Sequence, residues 1–272
     1  MAKAKSNETI EIGSVQRGHV TFCVVGTRPL IHNRLPMKAM QQLLHPQGSR
    51  KNSGTLKHPV LDEYQQSPYR NRDENGPTAI QHLAAAFRSS MQTAALELPN
   101  VTKSSVCRLI WVEGDRIDIY GIPLLGMNIV RQAGINKTPD VRTRAFMEKW
   151  AAYVTVSFIE PQFTAKGVAN LLAAAGTFIG IGDGRNEKGG LNCGLFRLCG
   201  EDDPEFQHII ETGGREAQLE ALANPEYYDE DSAELHQWWL ETIKDYKSLK
   251  PLKAPKATHI AAPAEKRSNG AA

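Results

Sequence analysis

Apolar and polar positions follow two rhythms along this chain. Between Gly18 and Gly26 the run His19-Val20-Thr21-Phe22-Cys23-Val24-Val25 is β-branched and apolar and is bounded by glycine, the pattern of a buried central strand. The chain then leaves the strand through Thr27-Arg28-Pro29-Leu30-Ile31-His32-Asn33-Arg34, and residues 35–44 predict a short helix with Pro36 in its first turn. From Pro77 onward Ile80, Leu83, Ala84, Phe87, Met91, Ala94, Ala95 and Leu98 recur at spacings of three and four, which keeps one helical stripe apolar and facing a sheet. Residues 106–112 and 116–120 predict two short strands joined into a hairpin by Glu113-Gly114-Asp115. The alternation Tyr153-Val154-Thr155-Val156-Ser157-Phe158 predicts another strand, and residues 165–175 a helix capped by Thr164. Phe178-Ile179-Gly180-Ile181 and Leu195-Phe196-Arg197-Leu198 then flank a glycine-rich loop.

The order strand, helix, hairpin, strand, helix, strand is the ferredoxin-like βαββαβ plan used by RRM domains, an α+β class. Two long insertions decorate it. Residues 47–76 are polar and rich in Gly, Pro, Ser and Asn, and residues 121–150 are irregular and basic. Three regions are expected: a nucleic-acid-binding domain over 1–200, an acidic helical extension over 201–249 with a helix at 233–246 carrying Trp238 and Trp239, and a disordered Lys/Pro/Ala tail over 250–272. No run of about 18 apolar residues occurs and the amino terminus has no apolar leader, so a soluble cytoplasmic protein without a membrane partner is expected.

A net charge of +2 hides a segregation of charge. The first sixty residues carry Lys3, Lys5, Arg17, Arg28, Arg34, Lys38, Arg50, Lys51 and Lys57 against Glu8 and Glu11, whereas residues 201–245 are dominated by acids. A polyanion responds to the local patch and not to the whole-chain sum. Cys23, Cys107, Cys193 and Cys199 are scattered, with no C-x-x-C pair, and read as buried free thiols; Cys193 and Cys199 make at most half a zinc site, and no cofactor or metal is expected. The carboxylates of Glu113-Gly114-Asp115 and Glu201-Asp202-Asp203 are accounted for by a hairpin turn and a solvated run.

The most specific motif is Ile179-Gly180-Ile181-Gly182-Asp183-Gly184-Arg185-Asn186-Glu187-Lys188-Gly189-Gly190-Leu191-Asn192-Cys193-Gly194. A phosphate-binding Walker loop needs Gly-Lys-Ser/Thr, which is missing, and a dinucleotide fingerprint precedes a helix, whereas this loop precedes a strand. Glycines let backbone N–H groups approach an anion, and Arg185 and Lys188 supply charge; the alternative is a simple glycine-rich turn before an edge strand. The loop resembles that of the RAMP superfamily of CRISPR-associated proteins, and Val25-Gly26-Thr27-Arg28-Pro29-Leu30-Ile31-His32-Asn33 is similar to the first-strand exit of related phage and prophage proteins.

That resemblance implies a backbone subunit with its strand exit beside the glycine-rich loop and a thumb-like insertion at 121–150. It assigns nucleic-acid contacts to Arg28, His32, Asn33, Arg34, Lys38, Gly182, Gly184, Arg185 and Lys188, and to Arg131, Lys137, Arg142 and Arg144 on the thumb. No aromatic pair stands where an RRM stacks bases, so the grip expected is on the sugar-phosphate backbone of single-stranded RNA or DNA, by protomers stacked head to tail, with other effector-complex subunits as further partners. The expected protein is non-catalytic. Two alternatives stay open: a metal-independent RNA endonuclease using His32 as general base, and a structural or protein-interaction module.

Overall fold

The structure, a computed structural model, describes residues 13–37, 40, 59–131, 139–186 and 190–248. It is an α+β arrangement of antiparallel sheets and helices. Strand β1 (Gln16–Gly26) lies at the centre of a four-stranded sheet. It pairs with β10 (Phe196–Cys199) on one side and β9 (Ala151–Glu160) on the other, and β5 (Ile110–Val112) extends the sheet beyond β9, all neighbours antiparallel. Helices α2 (Ala84–Ala94) and α4 (Ala165–Phe178) pack against each other over one face, where Val24, Phe87, Met91, Ile110, Val154, Val156, Leu172 and Phe196 form the core. Alternation explains the partition: Val154 and Val156 point to the helices, while Thr155 on the opposite face shares a 2.8 Å hydrogen bond with Thr21 of β1.

The expected hairpin between β5 and the next strand does not form. Strand β6 (Arg116–Asp118) pairs instead with β4 (Ile80–Leu83), which also pairs with β3 (Tyr69–Arg70) in a separate small sheet. Gly114 turns the chain with φ +76° as expected, but the strand it launches departs to the other sheet. Residues 106–109 belong to helix α3 (Lys103–Leu109), started by a reciprocal cap between Thr102 and Ser105, so only the end of the predicted strand is extended. Ile80–Leu83, whose apolar spacing suits the first turn of a helix, is a strand because β6 supplies its ladder.

The segment at 121–150 is not irregular. It is a long hairpin of β7 (Pro123–Arg131) and β8 (Pro139–Met147), and β2 (Leu30–Ile31) pairs with the base of β8. Within residues 47–76, helix α1 (Val60–Gln66) packs on β8 and its Glu63 carboxylate accepts the Thr143 N–H at 3.2 Å. Phe178, which flanks the glycine-rich loop, is the last residue of α4, and a glycine turn follows it. Residues 47–58, the tail over 250–272 and most of the predicted helix at 35–44 lie outside the described residues.

After Gly200 the chain forms three helices, α5 (Pro204–Thr212), α6 (Arg215–Ala223) and α7 (Glu230–Ser248). Asp203 caps α5 by accepting the N–H groups of Glu205 and Phe206, and with Glu205 it holds Arg197 of β10. Phe206 and Ile209 bury the far face of the main sheet against Val25 and Ala151. Fully buried Gln218 fastens α6: its Oε1 accepts from Ala79 and Ile80, and its Nε2 donates to the carbonyls of Ile119, Gly121 and Gly213. Helix α7 and the chain before it buttress the hairpin through Ser232, which accepts the Met127 N–H, and Tyr228, whose ring stacks 4.6 Å from Phe146. Among the described residues no helix is long and apolar enough to cross a membrane.

Candidate nucleic-acid interface

The exit from β1 is zipped to the glycine-rich loop. Thr27 and Arg28 N–H groups donate to Leu195 O (2.8 and 3.3 Å), Gly194 N–H donates to Pro29 O (2.7 Å), and Asp183 N–H donates to Ile31 O (3.0 Å). Trp150 sits beneath this seam, with its indole Nε1–H donating to Arg28 O at 2.9 Å. Two glycines are required by close approach as well as by positive φ. A Cβ on Gly182 would lie 2.6 Å from Leu30 Cδ1, and one on Gly194 would run into Ile181 O. The loop also closes on itself, Ile181 N–H donating to Gly194 O and Cys193 N–H to Gly184 O. The N–H groups of Gly180, Ile181, Asp183, Gly190, Cys193 and Gly194 thus all point at protein carbonyls.

Most of the predicted residues converge here. Arg28 and Asn33 are exposed, Arg34 and Arg185 are half-buried, and Gly182 and Gly184 shape the loop between them. His32 is fully buried, and its backbone N–H donates to Ala145 O at 3.0 Å. Arg144 is only 7% exposed and ion-pairs with Asp183, pinning the loop to β8. Burial lowers the Arg144 pKa and Asp183 counters that shift. Arg142 pairs with Asp140 at 3.1 Å. Arg131, paired with Pro139, stands five residues up the hairpin from the Arg144 register, about 17 Å away at strand spacing. Lys38, Lys137 and Lys188 lie outside the described residues.

Tyr69 and His82, which the sequence does not single out, line an open cleft of about 350 Å³ together with Asn33, Gly182 and Arg185, and Arg116 packs on Tyr69. The Arg116 guanidinium lies 5.2 Å from the Tyr69 ring centre, and its Nη1 donates to Arg70 O at 2.9 Å. Behind the cleft the rings of His32 and His82 meet edge to face at 5.7 Å. Both nitrogens of His32 and Nδ1 of His82 are buried with no partner among the described residues. Burial, then the charge of Arg185, pushes the His82 pKa down to about 4; burial and His82 hold His32 well below the ordinary histidine value. Both rings are neutral near pH 7.

Among the described residues no three His, Cys, Asp or Glu side chains converge as metal ligands. The four cysteines are free and half-buried, and burial raises the pKa of Cys193 and takes that of Cys199 to about 11. A comparison with protein-family models and with curated proteins finds no match for this chain.

Proposed function

We propose that this chain is a non-catalytic, cytoplasmic protein that binds single-stranded RNA or DNA by its sugar-phosphate backbone, in the manner of the RAMP backbone subunits it resembles. The observation that carries this reading is the seam between the β1 exit and the glycine-rich loop. It brings Asn33 and Arg185 to one cleft, with Arg28 and Arg34 on the same chain exit, and the lining carboxylate, Asp183, is already neutralised by Arg144. Guanidinium and amide donors so grouped suit phosphate and sugar oxygens. The sheet order β10-β1-β9-β5, with α2 and α3 between its first two strands and α4 between its last two, is read as the ferredoxin-like core in its 4-1-3-2 arrangement. A general-base role for His32 is disfavoured because the ring is fully buried behind His82 and neither nitrogen has a hydrogen-bond partner among the described residues.

The β7–β8 hairpin fits the thumb of such a subunit, and Ile129 on it is 74% exposed, a surface for reaching a neighbouring protomer. Head-to-tail contact is heterologous, so protomers on a strand extend into an open helix and not a closed ring. Electron microscopy with and without a long single strand tests this. Filaments whose length follows the strand are expected; monomers or closed dimers at saturating strand overturn the assembly.

A further inference from the structure

We propose that the cleft between the amino end of α2 and the glycine-rich loop is a site for one nucleotide, its phosphoryl group at the helix end and its nucleoside against Tyr69. This rests on the strand-binding reading and names what one unit of that ligand does.

Helix α2 opens onto the cleft without a cap. Leu83 at its N-cap offers no side-chain acceptor, its first turn has no acid, and the Ala84 N–H donates to Asp115 O at 3.1 Å. Ala85 and Ala86, whose N–H groups come next and have no acceptor within a helix, line the cleft. Such an end attracts an anion.

A second observation is independent of the helix. His82 lines the same cleft, is only 6% exposed, and leaves Nδ1 without a partner among the described residues. Buried polar atoms in folded proteins are almost always satisfied, so an orphan imidazole nitrogen on a residue that lines a cavity points to an absent ligand. Arg185 repeats the signal, since its Nε is buried and unpartnered while the residue lines the cleft. Helix N–H groups, imidazole and guanidinium approach from different elements. A tetrahedral phosphoryl group has acceptor oxygens for all of them, whereas a planar carboxylate does not. Half-buried Tyr69 and the exposed amide of Asn33 stand at the mouth, as a ring for a base or sugar and a hydrogen-bonding edge. A volume of about 350 Å³ suits a nucleotide and far exceeds a bare anion.

The phosphate could be terminal or internal to a strand, and the experiment separates these. Side-chain imidazole resonances of the ¹⁵N-labelled full chain are followed with inorganic phosphate, adenosine 5′-monophosphate, adenosine, and an oligonucleotide lacking terminal phosphates. Phosphate and the monophosphate are expected to shift His82 and His32 and to compete, while adenosine at equal concentration does not. Arg185→Ala, at a half-buried position, should weaken the monophosphate by about tenfold or more, and His82→Asn should act in the same direction. Shifts with the oligonucleotide as well mark an internal phosphodiester, and shifts with the monophosphate only mark a terminal phosphate; both support the site. If the chain binds long single strands but no probe moves either imidazole, or if Arg185→Ala leaves monophosphate affinity unchanged, the nucleotide site is wrong and the strand-binding reading survives. If the monophosphate shifts His82 while long strands do not bind, the site stands and that reading falls.

Discussion

Trp150→Ala should cost the fold about 3–5 kcal/mol, the range for emptying a large buried aromatic site. Trp150 is fully buried and meets Phe196 of β10 edge to face, with ring centres 6.1 Å apart. Its indole presses on Gly26, where a Cβ would collide with the ring, and its N–H holds the Arg28 carbonyl. The side chain thus ties the start of β9 to the exit of β1, and through Leu195 to the glycine-rich loop. Removing it opens a cavity under the seam and frees a carbonyl at once. Trp150→Phe keeps most of the volume and loses the hydrogen bond, for which about 1 kcal/mol is expected. Urea unfolding of the three proteins measures both values; a loss below about 1 kcal/mol for the alanine variant would contradict a structural role for this ring.

Acidification should destabilise the protein well before its carboxylates titrate. His82 and His32 bind protons less readily in the fold than in the unfolded chain, whose histidines titrate near 6.5. Below that pH the unfolded chain takes up protons that the folded chain does not, so stability is whole above 6.5 and falls as the pH drops towards the folded value of about 4. For His82 alone the full displacement corresponds to about 3 kcal/mol, and His32 and buried His236, whose pKa burial also lowers, act in the same direction. Asp203, held at about 2 first of all by its hydrogen bond from Arg197, contributes stability that is lost only below its ordinary value of 3.8. The interval from 6.5 to about 4.5 therefore isolates the imidazoles. Denaturant midpoints across it should fall for the natural chain and fall less for His82→Gln; a flat profile would mean that the rings are not buried neutral.

The parts of this fold that were legible in sequence are those whose partners lie nearby or whose pattern is unbroken. Strand β1 carries its glycine boundaries and β-branched run, and α4 its Thr164 cap, which accepts the Gly167 N–H at 3.1 Å. The seam between the β1 exit and the loop was also expected, from resemblance and not from periodicity. The β7–β8 hairpin was missed because its pattern is set by distant elements. Gly126 makes room for the Phe146 ring across the pair, and Arg144 is buried only because Asp183, remote in sequence, meets it. Thr143 is buried under α1. The cleft was illegible for the same reason. Tyr69 and His82 belong to a three-stranded sheet whose last strand, β6, was assigned to a hairpin with β5, so no local pattern joined them to Arg185.

Binding of a labelled single strand, followed by fluorescence anisotropy between about 50 and 200 mM salt, tests the backbone-grip reading most directly. Each phosphate neutralised releases counterions, so the logarithm of the association constant should fall linearly with the logarithm of salt concentration, with a slope of about −0.7 per contact on a single strand. Replacing Arg185 and Lys188 together with alanine should weaken binding and flatten the slope by about 1.4, with the thermal midpoint little changed. A natural chain that does not bind single strands, or a double variant with the natural affinity and slope, would contradict a phosphate grip at the glycine-rich loop.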